Sequence, residues 1–243
     1  MNKSQINCQI VILAAGNGTR MKSALPKVMH LVGDKPMIER VINNCALVTD
    51  DLILVHSQQL IKYITPYKHK CKFVLQSNPL GTAHAVDAAK ELIANSKIVT
   101  VIYGDNPLIT HTLIRQLVNH LNNTNSAAVT LSFKREDGAQ YGRIVTDSDG
   151  NFLRIVEFKC ANEAEKKITL CNSGIMTFAP GILAKYLPLC LHPEKNKEQY
   201  LTDIIEICQK NNEKVSYFLA PNQHEVIGVN TKEELIEANN ILQ

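Results

Sequence analysis

The first half of the chain alternates between short apolar runs and segments in which apolar residues recur with a helical period. Runs of four to seven residues rich in Ile, Val and Leu suit buried strands, whereas apolar residues at every third or fourth position suit amphipathic helices. The pattern predicts strands over 9–15, 52–55, 71–75 and 98–103, and helices over 36–47, 57–64, 82–94 and 110–121.

Alternation of strands and helices through short connections is typical of right-handed βαβ units. We therefore expect an α/β fold, with a Rossmann-like, mixed but mainly parallel sheet that is covered by helices on both faces. Ligands of such sheets bind beyond the carboxyl ends of the strands. Residues 16–20 and the pair Gly104-Asp105 both follow predicted strands at that edge, so we expect the two loops to converge on one site.

The pattern changes after about residue 125, where strands outnumber helices. Strands are predicted over 127–133, 143–146, 152–158 and 168–177, with a hairpin-turn sequence at 148–151, and helices over 181–187, 202–210 and 231–242. No linker of biased composition separates the two halves. We expect one domain over 1–243, in which the second half forms a wall of the first half's site.

Composition and charge exclude several classes of protein. A net charge of +3 without a basic stripe argues against a nucleic-acid partner. No apolar run approaches the ~18 residues of a membrane span, and no signal peptide is recognisable, so we expect no membrane association. The seven cysteines form no Cys-x-x-Cys pair, which argues against a zinc site and a disulfide framework. These features favour a reduced, cytoplasmic enzyme.

The loop Gly16-Asn17-Gly18-Thr19-Arg20 is a candidate phosphate-binding loop. Its glycines allow backbone N–H groups to approach phosphate oxygens, and Arg20 and Lys27 supply positive charge. The dinucleotide-binding fingerprint fails because Met21 stands where the third glycine is required, and the P-loop motif is absent. The longer segment up to Lys27 is suited to a triphosphate.

The extended loop sequence is Leu13-Ala14-Ala15-Gly16-x-Gly18-Thr19-Arg20-Met21, followed by Pro26-Lys27. This sequence resembles the signature of the sugar-nucleotide pyrophosphorylases, a nucleotidyltransferase family with the nucleoside-triphosphate-transferase fold. The similarity is closest to the N-terminal uridylyltransferase domain of the bifunctional N-acetylglucosamine-1-phosphate uridylyltransferase/glucosamine-1-phosphate acetyltransferases. Seven further motifs follow in order: Gln76 with Leu80-Gly81-Thr82-Ala83-His84-Ala85; Tyr103-Gly104-Asp105-x-Pro107-Leu108; Tyr141-Gly142-Arg143-Ile144; Val156-Glu157-x-Lys159; Asn172-Ser173-Gly174-Ile175; Tyr200-Leu201-Thr202-Asp203-Ile204; and Gly228-Val229-Asn230.

The resemblance implies a division of the chain into a nucleotide-binding half (1–125), a sugar-binding half (126–230) and a C-terminal helix (231–243). It implies that Arg20, Lys27 and Asp105 are catalytic, and that Gln76 contacts a pyrimidine ring. The other implied substrate contacts are Leu13, Ala14, Ala15, Gly16, Gly18, Lys27, Gly81, Thr82, Tyr103, Gly104, Asp105, Gly142, Glu157, Asn172, Tyr200, Thr202 and Asn230.

Asp105 is also a candidate magnesium ligand. A carboxylate that faces a polyphosphate repels it unless a cation lies between them, and Mg²⁺ commonly binds one or two protein oxygens together with phosphates and water. The resemblance pairs Asp105 with Asn230 as the second ligand. By contrast, we assign His84 to packing, because it lies on the predicted helix after Gly81-Thr82. We assign it no role as a general base, because a sugar 1-phosphate is already an anionic nucleophile at neutral pH.

The expected reaction forms UDP-N-acetylglucosamine and pyrophosphate from UTP and N-acetylglucosamine 1-phosphate, with Mg²⁺ as cofactor, for cell-envelope precursor synthesis. Alternatives are the same chemistry on another sugar 1-phosphate or with CTP or dTTP, and a non-catalytic nucleotide-sugar-binding homologue. The hexapeptide repeats of an acetyltransferase domain do not occur in the sequence, so we expect no such domain. A monomer or a small homo-oligomer is expected.

Overall fold

A computed structural model describes residues 7–137, 140–191 and 198–242. Its helices and strands follow the predicted alternation in the first half. The strands are β1 (Cys8–Ala14), β2 (Leu31–Val32), β3 (Lys35–Pro36), β4 (Leu52–His56), β5 (Lys72–Leu75), β6 (Ile98–Tyr103), β7 (Ala128–Lys134), β8 (Gly142–Thr146), β9 (Phe152–Val156), β10 (Leu170–Phe178) and β11 (Val215–Leu219). The α-helices are α1 (Met37–Ala46), α2 (Ile61–Ile64), α3 (Thr82–Ala88), α4 (His111–Thr124), α5 (Glu163–Lys166), α6 (Ile182–Tyr186), α7 (Asp203–Lys210) and α8 (Lys232–Leu242).

Within the described residues, nine strands form one sheet whose central order is β11-β7-β10-β6-β1-β4-β5. β1 is fully buried and pairs in parallel with β4 and β6, so that Leu13 lies opposite both Val55 and Tyr103. β10 is antiparallel to β6 and β7, and β8 and β9 form an antiparallel extension from β10. The sheet is therefore mixed and mainly parallel, as predicted.

Different helices cover the two faces of the sheet. Because successive residues of a strand point to opposite faces, neighbouring residues of β1 pack against different helices. Ile10 and Ile12 of β1 belong to a core cluster with residues of α1 and α4. Val11 and Leu13 belong to the cluster on the other face, which includes residues of α3, α6 and α7. This arrangement confirms the predicted α/β fold with helices on both faces.

Several predicted boundaries are wrong. The helix predicted over 82–94 ends at Ala88 and gives way to a short 3-10 turn at Lys90–Leu92. The strand predicted over 152–158 ends at Val156, because the chain turns into a 3-10 segment at Phe158–Cys160. The predicted helix 57–64 is reduced to α2, and β2, β3, β11 and α5 were not predicted.

In the second half, β8 and β9 pair as a hairpin, and the turn between them contains the predicted sequence 148–151. Gly150 has a positive φ of 82° there, as a tight turn requires. The helix predicted to reach residue 243 is observed as α8, and Gln243 lies outside the described residues. In the described part of the chain, no helix is long and apolar enough to cross a membrane.

Candidate active site

The glycine-rich loop leaves the carboxyl end of β1 and folds back onto Lys27. Gly18 adopts the left-handed conformation with φ 59° and starts the 3-10 turn Thr19–Met21. A Cβ at Gly18 would lie 2.6 Å from the Cβ of Lys27, so only glycine permits this close approach. Met21 is 1% exposed and anchors the turn in the interior. The loop thus places Arg20 and Lys27 on the same side of the sheet edge.

Four polar side chains meet beyond β6. The Lys27 ammonium donates hydrogen bonds to the Asp105 carboxylate and, at 2.9 Å, to Asn230 Oδ1. Arg20 donates to the same Asn230 oxygen at 2.9 Å. The loop after β1 and the loop after β6 therefore converge, as expected, and they are joined by Asn230 from more than 200 residues further along the chain.

Backbone contacts fix the positions of this cluster. The Gly104 N–H donates to the Leu13 carbonyl at 2.8 Å, which continues the pairing of β6 with β1. The Val229 N–H donates to the Asp105 carbonyl at 2.8 Å, so the segment before α8 is tied to the loop after β6. The Asn230 N–H donates to Glu234 Oε2 at 2.6 Å, which holds Asn230 at the start of α8.

The donor set of the cluster fits a magnesium ion. Asp105 and Asn230 present a carboxylate oxygen and an amide oxygen to one cation, the Lys27 ammonium, which shows that both oxygens face a common point. Mg²⁺ in nucleotide-binding sites usually takes one or two protein oxygens and completes its shell with phosphates and water. No group of three or more His, Cys, Asp or Glu side chains suited to a metal occurs among the described residues, so an all-protein metal cage is not formed there.

A turn between β5 and α3 carries the residues predicted to contact a base. Gln76 is buried and its Nε2 donates to the Gly81 carbonyl at 3.2 Å. Gly81 has φ 123° and ψ 179° and is the N-cap residue of α3. Thr82 does not cap α3 with its side chain; its hydroxyl oxygen accepts a hydrogen bond from the Leu201 N–H at 2.8 Å. The turn is thereby fixed to the second half of the chain.

A cleft of about 270 Å³ opens beside Asp105 and Asn230. It brings together most of the predicted sugar-side residues and joins a larger groove of about 1140 Å³, which Arg20 and Lys159 line. Predicted residues that line the cleft are Thr82, Tyr103, Asp105, Gly142, Glu157, Asn172, Tyr200, Thr202 and Asn230. The other predicted contacts do not line it: Leu13 and Ala14 end β1, and Ala15, Gly16, Gly18, Lys27, Gln76, Gly81 and Gly104 lie in the loops after β1, β5 and β6.

Glu157 lies in an acidic part of the cleft. Its Oε1 accepts a hydrogen bond from the Thr202 hydroxyl at 3.0 Å. Burial raises the pKa of Glu157, and the nearby carboxylates of Asp203 and Glu198 raise it further, although the Thr202 hydrogen bond opposes the shift. A carboxylate in this setting is suited to accept hydrogen bonds from hydroxyl groups of a ligand.

Two tyrosines form walls of the cleft. Burial raises the pKa of Tyr103, which stays a neutral phenol, and its ring lies so close to Gly174 that a Cβ there would be 3.0 Å from Tyr103 Cε2. Tyr200 donates to Glu198 Oε2 at 2.6 Å, and this hydrogen bond raises the pKa of Tyr200. Both phenols remain protonated, and the Tyr200 hydroxyl proton is used by Glu198.

Sequence reasoning assigned no role to several further residues of the cleft, among them Tyr141 and Asn106. The Tyr141 hydroxyl accepts from the Gly228 N–H at 3.2 Å, and burial raises the pKa of Tyr141 to about 12. The Asn106 amide is 3% exposed and donates to the Val226 carbonyl at 3.0 Å. Both support the segment that carries Asn230. Their positions within the quoted motifs, beside Gly142 and Asp105, were the available signal.

Asn172 is 5% exposed, and its Oδ1 accepts from Thr130 at 2.6 Å and from the Gly174 N–H at 3.1 Å. These contacts lie at the irregularity in β10 between Asn172 and Met176. The side-chain oxygen is therefore used within the protein, and the amide Nδ2 is the group left to face the cleft.

Comparison with known proteins agrees with this architecture. The family model described as nucleotidyl transferase matches residues 9–242. The protein named bifunctional protein GlmU from Desulfotalea psychrophila is 42% identical over 239 residues, which cover 96% of this chain and 70% of that protein. Proteins of the same name from Syntrophomonas wolfei and Streptococcus uberis are 38% and 39% identical, and the match covers 96% of this chain but only 52% and 51% of theirs. The chain thus spans about half the length of those two relatives.

A solved structure shares the fold. A putative glucose-1-phosphate thymidylyltransferase from Bacillus anthracis, in complex with a sucrose, superposes with a TM-score of 0.75 at 20% sequence identity and covers 96% of this chain and 94% of that one. The fold, the order of the motifs and the match along nearly the whole chain lead to one conclusion: the chain belongs to the nucleotidyl transferase family.

Proposed function

We propose that the protein is a magnesium-dependent uridylyltransferase that forms UDP-N-acetylglucosamine and pyrophosphate from UTP and N-acetylglucosamine 1-phosphate, a step in cell-envelope precursor synthesis. The observation that carries the proposal is the convergence of Arg20, Lys27, Asp105 and Asn230 at the sheet edge, beside a cleft that contains Glu157. The similarity to GlmU proteins supports the choice of substrates.

In this reaction an oxygen of the sugar 1-phosphate attacks the α-phosphorus of UTP. A new P–O bond forms as the bond to the β-phosphate breaks, and pyrophosphate leaves with the electron pair. The nucleophile is already anionic at neutral pH, so no side chain has to accept a proton. The protein's task is alignment and neutralisation of charge.

Arg20 and Lys27 supply that charge from the loop after β1. Their mutual partner Asn230 keeps both cationic groups within one hydrogen bond of the same oxygen. When the triphosphate binds, both cations exchange protein oxygens for phosphate oxygens and stabilise the negative charge that develops on the leaving group. Asp105 and Asn230 would hold Mg²⁺, which supplies further charge neutralisation across the phosphates.

The acidic part of the cleft would receive the sugar. Glu157 and the Asn172 amide offer an acceptor and a donor for hydroxyl or acetamido groups, while Tyr103 and Tyr200 close the sides. The same phosphate chemistry would also serve another sugar 1-phosphate or another nucleotide, and the contents of the cleft decide between them.

A pyrophosphorolysis panel tests the proposal. The protein is incubated with pyrophosphate, Mg²⁺ and one of UDP-N-acetylglucosamine, UDP-glucose, dTDP-glucose or a CDP-sugar, and release of the nucleoside triphosphate is measured. We expect the highest kcat/KM with UDP-N-acetylglucosamine and loss of turnover when EDTA replaces Mg²⁺. Preference for another nucleotide sugar would contradict the substrate assignment, and binding without turnover of any of them would indicate a non-catalytic homologue.

A further inference from the structure

The side chain of Gln76 is held by two neighbours on the turn that leads into α3. Its Nε2 lies 3.2 Å from the Gly81 carbonyl oxygen and 3.0 Å from Nδ1 of His84. Gln76 itself is buried, and its N–H donates to the His56 carbonyl at 2.9 Å, so the side chain leaves a fixed backbone position.

These contacts determine which way the amide of Gln76 points. A carbonyl oxygen can only accept a hydrogen bond, so the group beside the Gly81 carbonyl must be the NH₂ and not Oε1. The NH₂ then directs its second N–H to His84 Nδ1, which must be an unprotonated acceptor with the ring proton on Nε2. His84 therefore makes a polar contact with Gln76 in addition to the packing role that we assigned to it.

With both N–H bonds used, Gln76 can offer a ligand only its Oε1. No other described residue donates a hydrogen bond to this oxygen. The Gly81 N–H, on the same turn, donates to no backbone carbonyl in the ranges that the structure describes. The turn thus holds an acceptor and a donor of fixed identity, neither of which has a protein partner among the described residues.

This pair matches one class of pyrimidine. Uracil and thymine carry a donor at N3–H beside an acceptor at O4, whereas cytosine carries an acceptor at N3 beside a donor at its 4-amino group. An acceptor oxygen from Gln76 and an N–H from Gly81 complement the first pattern and oppose the second. Unpaired or opposed polar groups in a binding site are strongly discriminating.

We propose that His84 is a positioning residue that makes the site select uracil or thymine nucleotides over cytosine nucleotides, because its Nδ1, together with the Gly81 carbonyl, holds the Gln76 amide in the orientation that leaves Oε1 for the base. This proposal rests on the proposed function, in which the turn from Gln76 to Gly81 contacts the nucleotide base. His84 touches no substrate and acts through Gln76.

Two substitutions separate this role from packing. His84→Leu replaces the imidazole with an apolar side chain and removes the acceptor, whereas in His84→Asn the Oδ1 stands close to the place of Nδ1 and can still accept from Gln76. The wild type and both variants are compared for KM and kcat with UTP and CTP, and for equilibrium binding of each nucleotide by calorimetry, after their thermal unfolding has been checked.

We expect the wild type to favour UTP over CTP, and His84→Leu to lose about tenfold of that preference, the effect of one orienting hydrogen bond, mainly through KM. His84→Asn should recover most of the preference. An unchanged UTP-to-CTP ratio in His84→Leu, or equal losses in both variants, would overturn the positioning role. Absence of UTP binding to the wild type would instead contradict the proposed function and, with it, this inference.

A measurement on the wild type covers the case in which the variants do not fold. Long-range ¹H–¹⁵N correlation spectra of ¹⁵N-labelled protein at neutral pH distinguish the tautomers of histidine. We expect His84 to be protonated at Nε2 and unprotonated at Nδ1. A proton on Nδ1 would require Gln76 to turn Oε1 towards His84 and would refute the proposal without any substitution.

Discussion

The conformation of Gly81 provides a quantitative test of how the two halves of the chain are joined. Its φ of 123° and ψ of 179° fall in a region that is essentially restricted to glycine. A Cβ at this position would lie 2.3 Å from the carbonyl oxygen and 2.6 Å from the nitrogen of Gln199. Since both atoms belong to the backbone, no side-chain rotation can relieve the contact.

The substitution Gly81→Ala should therefore cost stability in two ways. Backbone strain contributes on the order of 1–3 kcal/mol. Displacement of Gln199 also breaks the hydrogen bonds from Ala83 N–H to the Gln199 carbonyl and from Gln199 N–H to the Leu80 carbonyl, each 2.9 Å long and each worth about 1 kcal/mol. We expect a loss of about 3–5 kcal/mol in the free energy of unfolding.

Urea denaturation followed by circular dichroism measures this loss, and Gly150→Ala is the matched control. Gly150 also has a positive φ, 82°, but a Cβ there would meet no atom within 4 Å. The control should cost only the strain, about 1–2 kcal/mol. If Gly81→Ala were no more destabilising than Gly150→Ala, the contact with Gln199 would not be a structural constraint and the reasoning would be wrong.

Three further predictions follow from the structure. Asp105→Asn should lower kcat, measured by steady-state kinetics, by about a hundredfold or more, because it removes the charge that faces Lys27 and the proposed metal. Asp149→Asn, on an exposed turn, is the control, and an unchanged kcat in Asp105→Asn would refute the proposed role of Asp105. Burial raises the pKa of Glu157, so the contribution of this residue to folding stability is favourable below its unfolded-state pKa and is lost as the pH rises through its folded-state pKa. Glu157→Gln should therefore raise the Tm more at pH 7.5 than at pH 4. An equal change in Tm at both pH values would contradict this prediction. Cys160 is exposed and the other six cysteines are buried, so a disulfide reagent at pH 8 should modify one thiol of the native protein and seven after denaturation; rapid reaction of several native thiols would contradict the burial.

The strands at the centre of the sheet were predictable because burial on both faces leaves an uninterrupted apolar run, as in β1. Strand β11 was missed because all its residues are half-buried or exposed at the edge of the sheet, so no apolar run marks it. The β2–β3 hairpin was missed because each strand has two residues, too few for a periodic pattern.

Some residues of the candidate site could be placed from the sequence pattern alone, and others could not. The positions of Arg20 and Asp105 followed from the rule that loops after parallel strands share an edge. The contact of Arg20 with Asn230 depends on the return of the chain after 210 residues, which no local pattern encodes. The resemblance to a family supplied Asn230, and only the structure showed that its oxygen accepts hydrogen bonds from both cations.

The site has a cationic end and an acidic end, and this difference determines the direction in which the proposed substrates would lie. Arg20 and Lys27 lie at one end with Asp105, so a triphosphate gains cationic partners there. Glu157 at the other end is close enough to Glu198 and Asp203 for both to raise its pKa, so a polyphosphate placed there would meet carboxylates. Like charges in a partly desolvated cleft repel strongly, whereas hydroxyl groups gain acceptors from the same carboxylates. Under the proposed function, a nucleotide sugar would therefore bind in one direction, with its phosphates at the loop after β1 and its sugar at Glu157.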